Sequence, residues 1–479
     1  MELDALIRAL APSEVIGARP VEIGDLAYDT RALRAGALYF CVLGARVDGH
    51  DLAWEAIERG AAALVVERPL EVGVPQLVVE SSRAAMAVAA DVFFGEPTKE
   101  LEIAGVTGTN GKTTTAMLLQ AMLDVAGRKA GLVGTIEWIV GGEHRPAPFT
   151  TPEAIDLQRL FRTMLDKGDR SAAVEASSHG SALSRLDRVR FDALVFTNLS
   201  QDHLDLHGTM DNYFQAKRRL FTGALPPPAA VNVGDEWGRR LASELVDVHR
   251  APLVTFGLGD DAEIRPEELE LSAHGSRFCA AGIDIETPLR GLFNVENVLG
   301  AVAAGLLLDL DEDAIAEGVA SVAGVPGRFE AIDEGQPFAV VVDYAHTPDS
   351  LVTVLRAARD LGPGRVIVVF GAGGDRDRAK RPLMGKVASE LADVTIVTSD
   401  NPRSEPPLAI IQDVLQGAGM DVEIDPDRRG AIGRAIALAE DGDVVVIAGK
   451  GHEQGQDVAG VVTPFDDREV ARELLRGAS

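Results

Sequence analysis

Residues 95–127, GEPTKELEIAGVTGTNGKTTTAMLLQAMLDVAG, decide how this chain reads. A Gly/Pro break opens the stretch, an apolar strand follows, and a glycine-rich turn then runs into a segment of helix formers. That order suits a phosphate group. Gly108 and Gly111 let backbone amides come close at a helix N-terminus, and Lys112 adds charge towards β- and γ-phosphates. Thr113 is then placed to ligate Mg2+. The spacing departs from G-x-x-x-x-G-K-[ST] at one place, because Val106 stands where the first glycine would be. The strand–turn–helix context outweighs that departure and predicts a nucleotide site.

Outward from this stretch, short apolar strands alternate with amphipathic helices in both directions. Residues up to 98 carry GALYFCVLG, DLAWEAIERGAAALVVE and QLVVESSRAAMAVAADVFF, a small α/β unit. Beyond the glycine-rich turn, buried-strand runs recur at AAVEAS, ALVFTNLS and AAVNVG, up to a Gly/Pro cluster around residue 326. The last third repeats the rhythm in FAVVVDYAH, RVIVVFGAGG, DVTIVTSDN and DVVVIAGKGHE. Continuous Val/Ile strands alternating with helices predict parallel sheets covered on both faces. The expected fold is therefore α/β in three domains: a small N-terminal α/β domain (1–98), a central parallel-sheet P-loop domain (99–327) and a C-terminal Rossmann-like domain (328–479). A length of 479 residues agrees, at ~150 residues per domain.

In open parallel sheets, ligands bind beyond the carboxyl ends of the strands. The clusters GTNGKTT, EASSHG, NLSQDHLD, YAHTPD, GAGGDRD, SDNPR and GKGHE all fall there. Any one of them is ordinary turn chemistry. Together they predict a cleft between the central and C-terminal domains.

The chain is strongly acidic, with a formal net charge of −28 and a pI near 4.7. This argues against a protein that tracks nucleic-acid phosphates. An anionic ligand must be held by local cations and backbone amides against the global field. With only Cys41 and Cys279 present, neither a disulfide framework nor a cysteine metal site is expected. The N-terminal MELDALIRALAPSE has acids where a signal peptide has bases, and no apolar run reaches the ~18 residues of a membrane span. A cytoplasmic protein without membrane insertion is expected.

Glu175 and His203 each follow a buried strand by a few residues. A carboxylate and an imidazole would suit a Mg2+ that bridges phosphates, although either alone also reads as a satisfied loop residue. Lys217, in DNYFQAKRRLF, reads from its spacing as a cation on a solvated helix face. Arg403 follows Pro402, whose fixed φ stiffens the turn, and a guanidinium can grip a carboxylate with two parallel hydrogen bonds. It reads as a carboxylate receptor. The competing reading is a surface pair with Glu405.

Ten motifs, GTNGKTT, EASSHG, FTNLSQDHLDLHG, YFQAKRRLF, GLFNVENVLGA, GVPGRFE, VDYAHTPDSL, FGAGGDRDRAKRPLMG, SDNPR and AGKGHE, occur in the order seen in the Mur ligases. The chain resembles most the MurE type, which adds the third residue of the peptidoglycan stem peptide. The resemblance covers almost the whole chain, including YDTRALRAGALYF and VDGHDLAWEAIERGA. It implies that Tyr28 and Thr30 lie near the uracil of a UDP-linked substrate. It implies ATP held through Gly108, Thr109, Asn110, Gly111, Lys112, Thr113 and Thr114, with Asn294, Arg328, Asp343 and His346 near the adenosine or its phosphates. Glu175 and His203 would contact magnesium with Thr113, and Lys217 would be a carbamate, a carboxylate-like metal ligand. Thr150, Thr151, Ser177 and Arg185 would hold the UDP-muramoyl-dipeptide. Two positions depart from some family members: Phe149 stands where Asn often precedes the Thr-Thr pair, and Leu183 replaces a frequent Gln.

In the resemblance, DNPR marks enzymes that take meso-diaminopimelate, whose distal carboxylate L-Lys lacks. Arg376, Asp400, Asn401, Pro402, Arg403, Gly449 and Glu453 would form that pocket, with Glu453 available to an ammonium group. The implied activity is an ATP-dependent amide ligase. It would phosphorylate the D-Glu side-chain carboxylate of UDP-N-acetylmuramoyl-L-Ala-D-Glu to an acyl phosphate, which the amine then attacks, in a monomeric cytoplasmic enzyme with small-molecule substrates. The rivals are an L-Lys-adding relative, another ligase such as folylpolyglutamate synthetase, and a P-loop switch or motor. Related ligases acting on other acids and amines lack the pairing of DNPR with GKGHE, and a switch would need no carboxylate substrate.

Overall fold

The computed structural model describes residues 1–44, 47–223, 226–248, 251–272 and 274–478. The strand Val366–Phe370 shows why the apolar runs fold as they do. All five of its residues are buried, and successive side chains point to opposite faces. Val366, Val368 and Phe370 join Leu351 and Met384 in one core, while Ile367 and Val369 join Ile432 and Val470 in another. Helices Pro348–Arg359 and Lys380–Leu391 cover the first face, and Arg428–Leu438 and Asp467–Ala478 the second. A strand with two buried faces needs no polar alternation, which is why its sequence is a continuous Val/Ile run.

The same division recurs in the central sheet, where Val195 faces one core and Leu194 and Phe196 the other. That sheet has eight strands in the order Leu253–Phe256, Ala229–Asn232, Ala193–Phe196, Glu102–Thr107, Ser171–Glu175, Ala130–Val133, Glu137–Val140 and Glu143–Pro146. All pairings are parallel except the last two. Glu102–Thr107, which leads into the glycine-rich turn, is flanked on both sides, so its carboxyl end opens at the middle of the sheet edge. The chain moves from this strand first to one side and then to the other, a topological switch point.

The N-terminal sheet has five strands, and the C-terminal sheet orders Glu330–Ala331, Ala339–Asp343, Val444–Ala448, Val366–Phe370, Val394–Val397 and Val422–Ile424. The α/β expectation is met. Two antiparallel pieces went unforeseen: a three-stranded sheet, Glu267–Ser272, Gly275–Ala280 and Ile283–Thr287, and the hairpin Gly455–Val458/Val461–Pro464. Among the described residues, no helix is long and apolar enough to cross a membrane.

Candidate functional site

The turn after Glu102–Thr107 enters helix Lys112–Val125 through Gly111, whose φ is +87°. A Cβ on Gly111 would sit 2.2 Å from Asn297 Oδ1, and one on Gly108 would sit 1.8 Å from Thr197 Oγ1. Only glycine fits at either position. The neighbouring strand end holds the loop in shape: the Asn110 amide donates to Asn198 Oδ1 at 2.9 Å, and Ser200 N donates to Thr109 Oγ1 at 3.0 Å. Lys112 folds back, its Nζ donating to the carbonyls of Gly108 (3.1 Å) and Thr109 (2.8 Å). Desolvation lowers its pKa. Thr113 and Thr114 are buried in the first helical turn.

Glu175 ends the adjacent strand and is buried. Its carboxylate accepts from Thr113 Oγ1 (3.1 Å), Thr135 Oγ1 (3.0 Å) and the Thr135 amide (2.7 Å). Lys217 corrects the solvated-face reading: it is 1% exposed on helix Met210–Arg218. Its Nζ donates to the Gly108 carbonyl at 2.7 Å and lies 4.8 Å from the centre of the Tyr213 ring. Burial pushes its pKa well below the usual lysine range. The helix packs this face onto the glycine-rich turn, which residue spacing alone does not reveal. Among the described residues, no carboxylate lies within ion-pair distance of Lys217.

His203 has φ +55° and packs edge-on against His179, ring centres 4.7 Å apart. Burial lowers its pKa to about 3. Asp202, which the sequence reading passed over, is buried beside it. Its carboxylate lies 3.6 Å from His346 Nε2 and 4.0 Å from Lys380 Nζ, both from the C-terminal domain. Burial pushes Asp202 up, but His346, His203 and Lys380 together hold it well below the usual carboxylate range.

The implied dipeptide residues lie on one wall. Thr150 Oγ1 is 3.0 Å from Thr135 Oγ1, Thr151 Oγ1 donates to the Glu175 carbonyl at 2.8 Å, and Ser177 caps a short helix through Gly180 N. Arg185 donates to the Thr151 carbonyl and to Glu153, both at 2.8 Å, while its buried Nε has no hydrogen-bond partner among the described residues. Phe149 is 62% exposed and lines the same wall; Leu183 does not. Tyr28 and Thr30 belong to the N-terminal domain and lie outside the cleft lining. The Tyr28 hydroxyl donates to Asp156 at 2.6 Å, joining the N-terminal and central domains.

Arg328 donates to Thr113 Oγ1 at 3.2 Å, with its guanidinium 4.3 Å over the Tyr344 ring. Asp343 is buried, accepts from the amides of Phe329 and Ala345, and has its pKa raised by desolvation. Asn294 is buried behind the lining and pairs with Asn297 at 3.0 Å.

In the C-terminal domain the competing reading of Arg403 fails. Glu405 is taken by Arg381 (2.8 and 3.0 Å) and Arg378 (2.7 Å). Arg403 has φ +51°, held by backbone bonds to Asp457 O and from Ala459 N, and its Nη1 donates to the Gly374 carbonyl at 2.7 Å. Arg376 donates to the Asp375 carbonyl at 3.1 Å. Asn401 Nδ2 donates to Glu453 Oε2 at 2.6 Å, Asp400 Oδ1 accepts from the Asn401 amide, and Gly449 N donates to the Asp343 carbonyl. Glu453 is therefore not a bare carboxylate, since Asn401 and the buried Lys450 already hold one of its oxygens.

A cleft of about 910 Å³ runs between the two domains. The glycine-rich turn from Thr109, Glu175, His203 and Lys217 line one side, and Arg328, His346, Arg376 and Glu453 the other. Asp400, Asn401, Pro402, Arg403 and Gly449 are not part of that lining. Among the described residues, no three His, Cys, Asp or Glu side chains converge as a metal group. The donors at hand are instead hard oxygens, the Glu175 carboxylate and the Thr113 hydroxyl, which fit Mg2+. Thr135, Asp202, Tyr344 and Lys450 went unnoticed in the sequence. For Asp202 a signal was available, an acid directly before the singled-out histidine.

Three family models match: "Mur ligase family, catalytic domain" over residues 22–123, "Mur ligase middle domain" over 106–305 and "Mur ligase, glutamate ligase domain" over 327–451. The chain belongs to the Mur ligase family. Within it, a relative from Solibacter usitatus named UDP-N-acetylmuramoyl-L-alanyl-D-glutamate--2,6-diaminopimelate ligase is 46% identical, with 98% of this chain and 96% of that protein covered. A solved structure of a ligase with that name is 32% identical with a TM-score of 0.69, covering 98% of this chain and 99% of the other. The fold is also shared with the MurF ligase of Thermotoga maritima solved in complex with ADP, at 20% identity and TM-score 0.65, covering 95% and 97%.

Proposed function

We propose that the chain is an ATP-dependent amide ligase joining meso-2,6-diaminopimelate to the D-Glu of UDP-N-acetylmuramoyl-L-Ala-D-Glu, in cytoplasmic peptidoglycan precursor synthesis. The observation that carries this reading is the shared cleft, which has a phosphate loop on one wall and Arg376 and Glu453 on the other. A carboxylate is a poor electrophile. The side-chain carboxylate of D-Glu therefore attacks the γ-phosphorus of ATP, ADP leaves, and an acyl phosphate forms. The neutral amine then attacks the acyl carbon, the C–O bond to phosphate breaks, and the amine gives up a proton as the amide forms.

The chain's own work is positioning and charge neutralisation. Backbone amides of 108–112 and Lys112 hold the phosphates, and Arg328 faces them from the opposite domain. Thr113, Glu175 and His203 would hold Mg2+, with Lys217 contributing as a carbamate. When bound, the ion neutralises charge building on the transferred phosphoryl group. Thr150, Thr151, Ser177 and Arg185 orient the UDP-substrate, and Tyr28 and Thr30 sit towards its uracil. The domains divide at 1–98, 99–327 and 328–479, and the enzyme works as a monomer.

Arg376 and Arg403 support diaminopimelate over L-Lys. Each guanidinium donates a hydrogen bond to a main-chain carbonyl and has no carboxylate partner among the described residues. A distal carboxylate would supply one. Purified protein given UDP-muramoyl-dipeptide, ATP and equal L-Lys and meso-diaminopimelate should yield the diaminopimelate product by mass spectrometry; equal use of L-Lys would overturn the assignment. Arg403→Ala should lower kcat/KM for diaminopimelate by ~10–100-fold and narrow the preference over L-Lys.

A further inference from the structure

Lys450, the lysine of GKGHE, is fully buried one layer behind the cleft. An ammonium has three donors, and Lys450 Nζ has three acceptors: Asn401 Oδ1 at 3.2 Å, Glu453 Oε2 at 3.2 Å and the Gly455 carbonyl at 2.5 Å. They come from three separate pieces of chain: the SDNPR turn, the loop after Val444–Ala448, and the hairpin that begins at Gly455.

The geometry determines how Asn401 faces. Its Oδ1 accepts from Lys450 and from the Asp457 amide at 3.0 Å, so its Nδ2 must turn to Glu453 Oε2. A flipped amide would set two oxygens against each other. Glu453 Oε2 is then saturated by Asn401 and Lys450. Among the described residues, Glu453 Oε1 has only the Tyr344 hydroxyl as a hydrogen-bond neighbour, at 3.5 Å, and Glu453 lines the cleft. One carboxylate oxygen is spent on position, and the other lies beside Tyr344, which also lines the cleft.

We infer that Lys450 is a positioning residue for amino-acid recognition: by fixing Asn401 and one oxygen of Glu453 it presents the other oxygen to the ammonium of the incoming amino acid. This rests on the proposed ligase reading. A merely structural lysine would move every kinetic constant or none. A positioning residue acts on the amino-acid substrate alone.

The test is steady-state ligation by full-length wild type, Lys450→Met, Glu453→Gln and the double variant, with each substrate varied in turn. Lys450→Met should raise KM for meso-diaminopimelate by ~10-fold or more, with KM for ATP and for the UDP-substrate within ~2-fold of wild type. Adding Glu453→Gln to Lys450→Met should cost much less than Glu453→Gln does alone, because the two act as one unit. Lys450→Gln keeps donors for Asn401 and Glu453 and should recover part of the KM. It also carries the KM test if Lys450→Met does not fold. Parallel shifts in all three KM values, an unchanged KM for diaminopimelate, or independent multiplication of the two losses would overturn the inference. Failure of the ligase reading shows separately, as wild type that does not consume diaminopimelate.

Discussion

At the phosphate loop, Lys112 and Lys217 give their Nζ protons to backbone carbonyls, whereas in the C-terminal domain Arg381, Arg428 and Lys450 give theirs to carboxylates. Both regions are crowded with cations in a chain whose net charge is −28. A carbonyl satisfies a donor without cancelling its charge, so Lys112 keeps a positive field for an incoming anion, while Lys217 is left with no counter-charge among the described residues. A carboxylate cancels the charge, and the pair then holds shape. Arg428 shows the second case: it is buried with Asp467 at 2.6 Å and also donates to the carbonyls of Ser399 and Ala448. It thereby ties together the strand ends that carry SDNPR and GKGHE. Arg376 and Arg403, held by carbonyls, are the C-terminal residues that follow the phosphate-loop pattern.

The contrast breaks first at Lys112. Lys112→Ala should lower product formation by at least ~10²–10³-fold, the cost of losing one preorganised donor to developing charge. Thermal unfolding should remain close to wild type, since the glycine turn keeps its bonds to Asn198 and Ser200 when the lysine's bonds to Gly108 and Thr109 are lost. Near-normal turnover in a folded variant would remove the phosphate-loop assignment. Arg428→Met should do the reverse, costing about 3–5 kcal/mol in denaturant unfolding because Asp467 is left buried without its partner. A loss below ~1 kcal/mol would show that the closed pairs are not what holds the C-terminal loops.

Reading the chain without its structure succeeded where burial writes itself into composition. FAVVVDYAH and RVIVVFGAGG are legible because strands covered on both faces become nearly all Val and Ile. EELELS at 267–272 is not, because that strand is exposed along most of its length and shows no buried run. The glycine-rich turn was legible because its spacing demands glycine, and no Cβ fits at Gly108 or Gly111. Lys217 failed because a helix wheel shows which residues share a face but not which neighbour buries it. Lys450 failed because a lysine between two glycines looks like a turn, and its three acceptors come together only through tertiary contacts.

Acid should separate the regions next. Arg381 holds Glu405 down to about 2, from an ordinary value of 4.5, helped by the Asp375 amide and Arg378. A depressed carboxylate contributes stability that is fully present above its unfolded pKa and is lost as pH falls through the folded one. The window is therefore about pH 4.5 to 2. Glu405→Gln should be less stable than wild type at neutral pH and should flatten the fall in stability across that window. An unchanged slope in urea unfolding at stepped pH would count against Glu405 as a source of acid sensitivity.

The smallest change is expected at Lys217, and it sharpens the comparison most. Lys217 and Arg428 are both essentially excluded from solvent, at 1% exposed each, and both donate to main-chain carbonyls. They differ in having or lacking a carboxylate. Removing Arg428 strands an acid, while removing the Lys217 ammonium strands no charge and relieves a desolvated cation. Lys217→Met keeps the aliphatic stem against the Tyr213 ring and loses the hydrogen bond to the Gly108 carbonyl. Without nucleotide or magnesium, its stability should lie within about 1 kcal/mol of wild type, near the worth of one neutral hydrogen bond. Ligase activity should still be lost, and short carboxylates should restore part of it in Lys217→Ala, where the side chain's space is open. A destabilisation as large as that of Arg428→Met would mean that Lys217 holds structure as the closed pairs do, and the distinction between the two regions would fall.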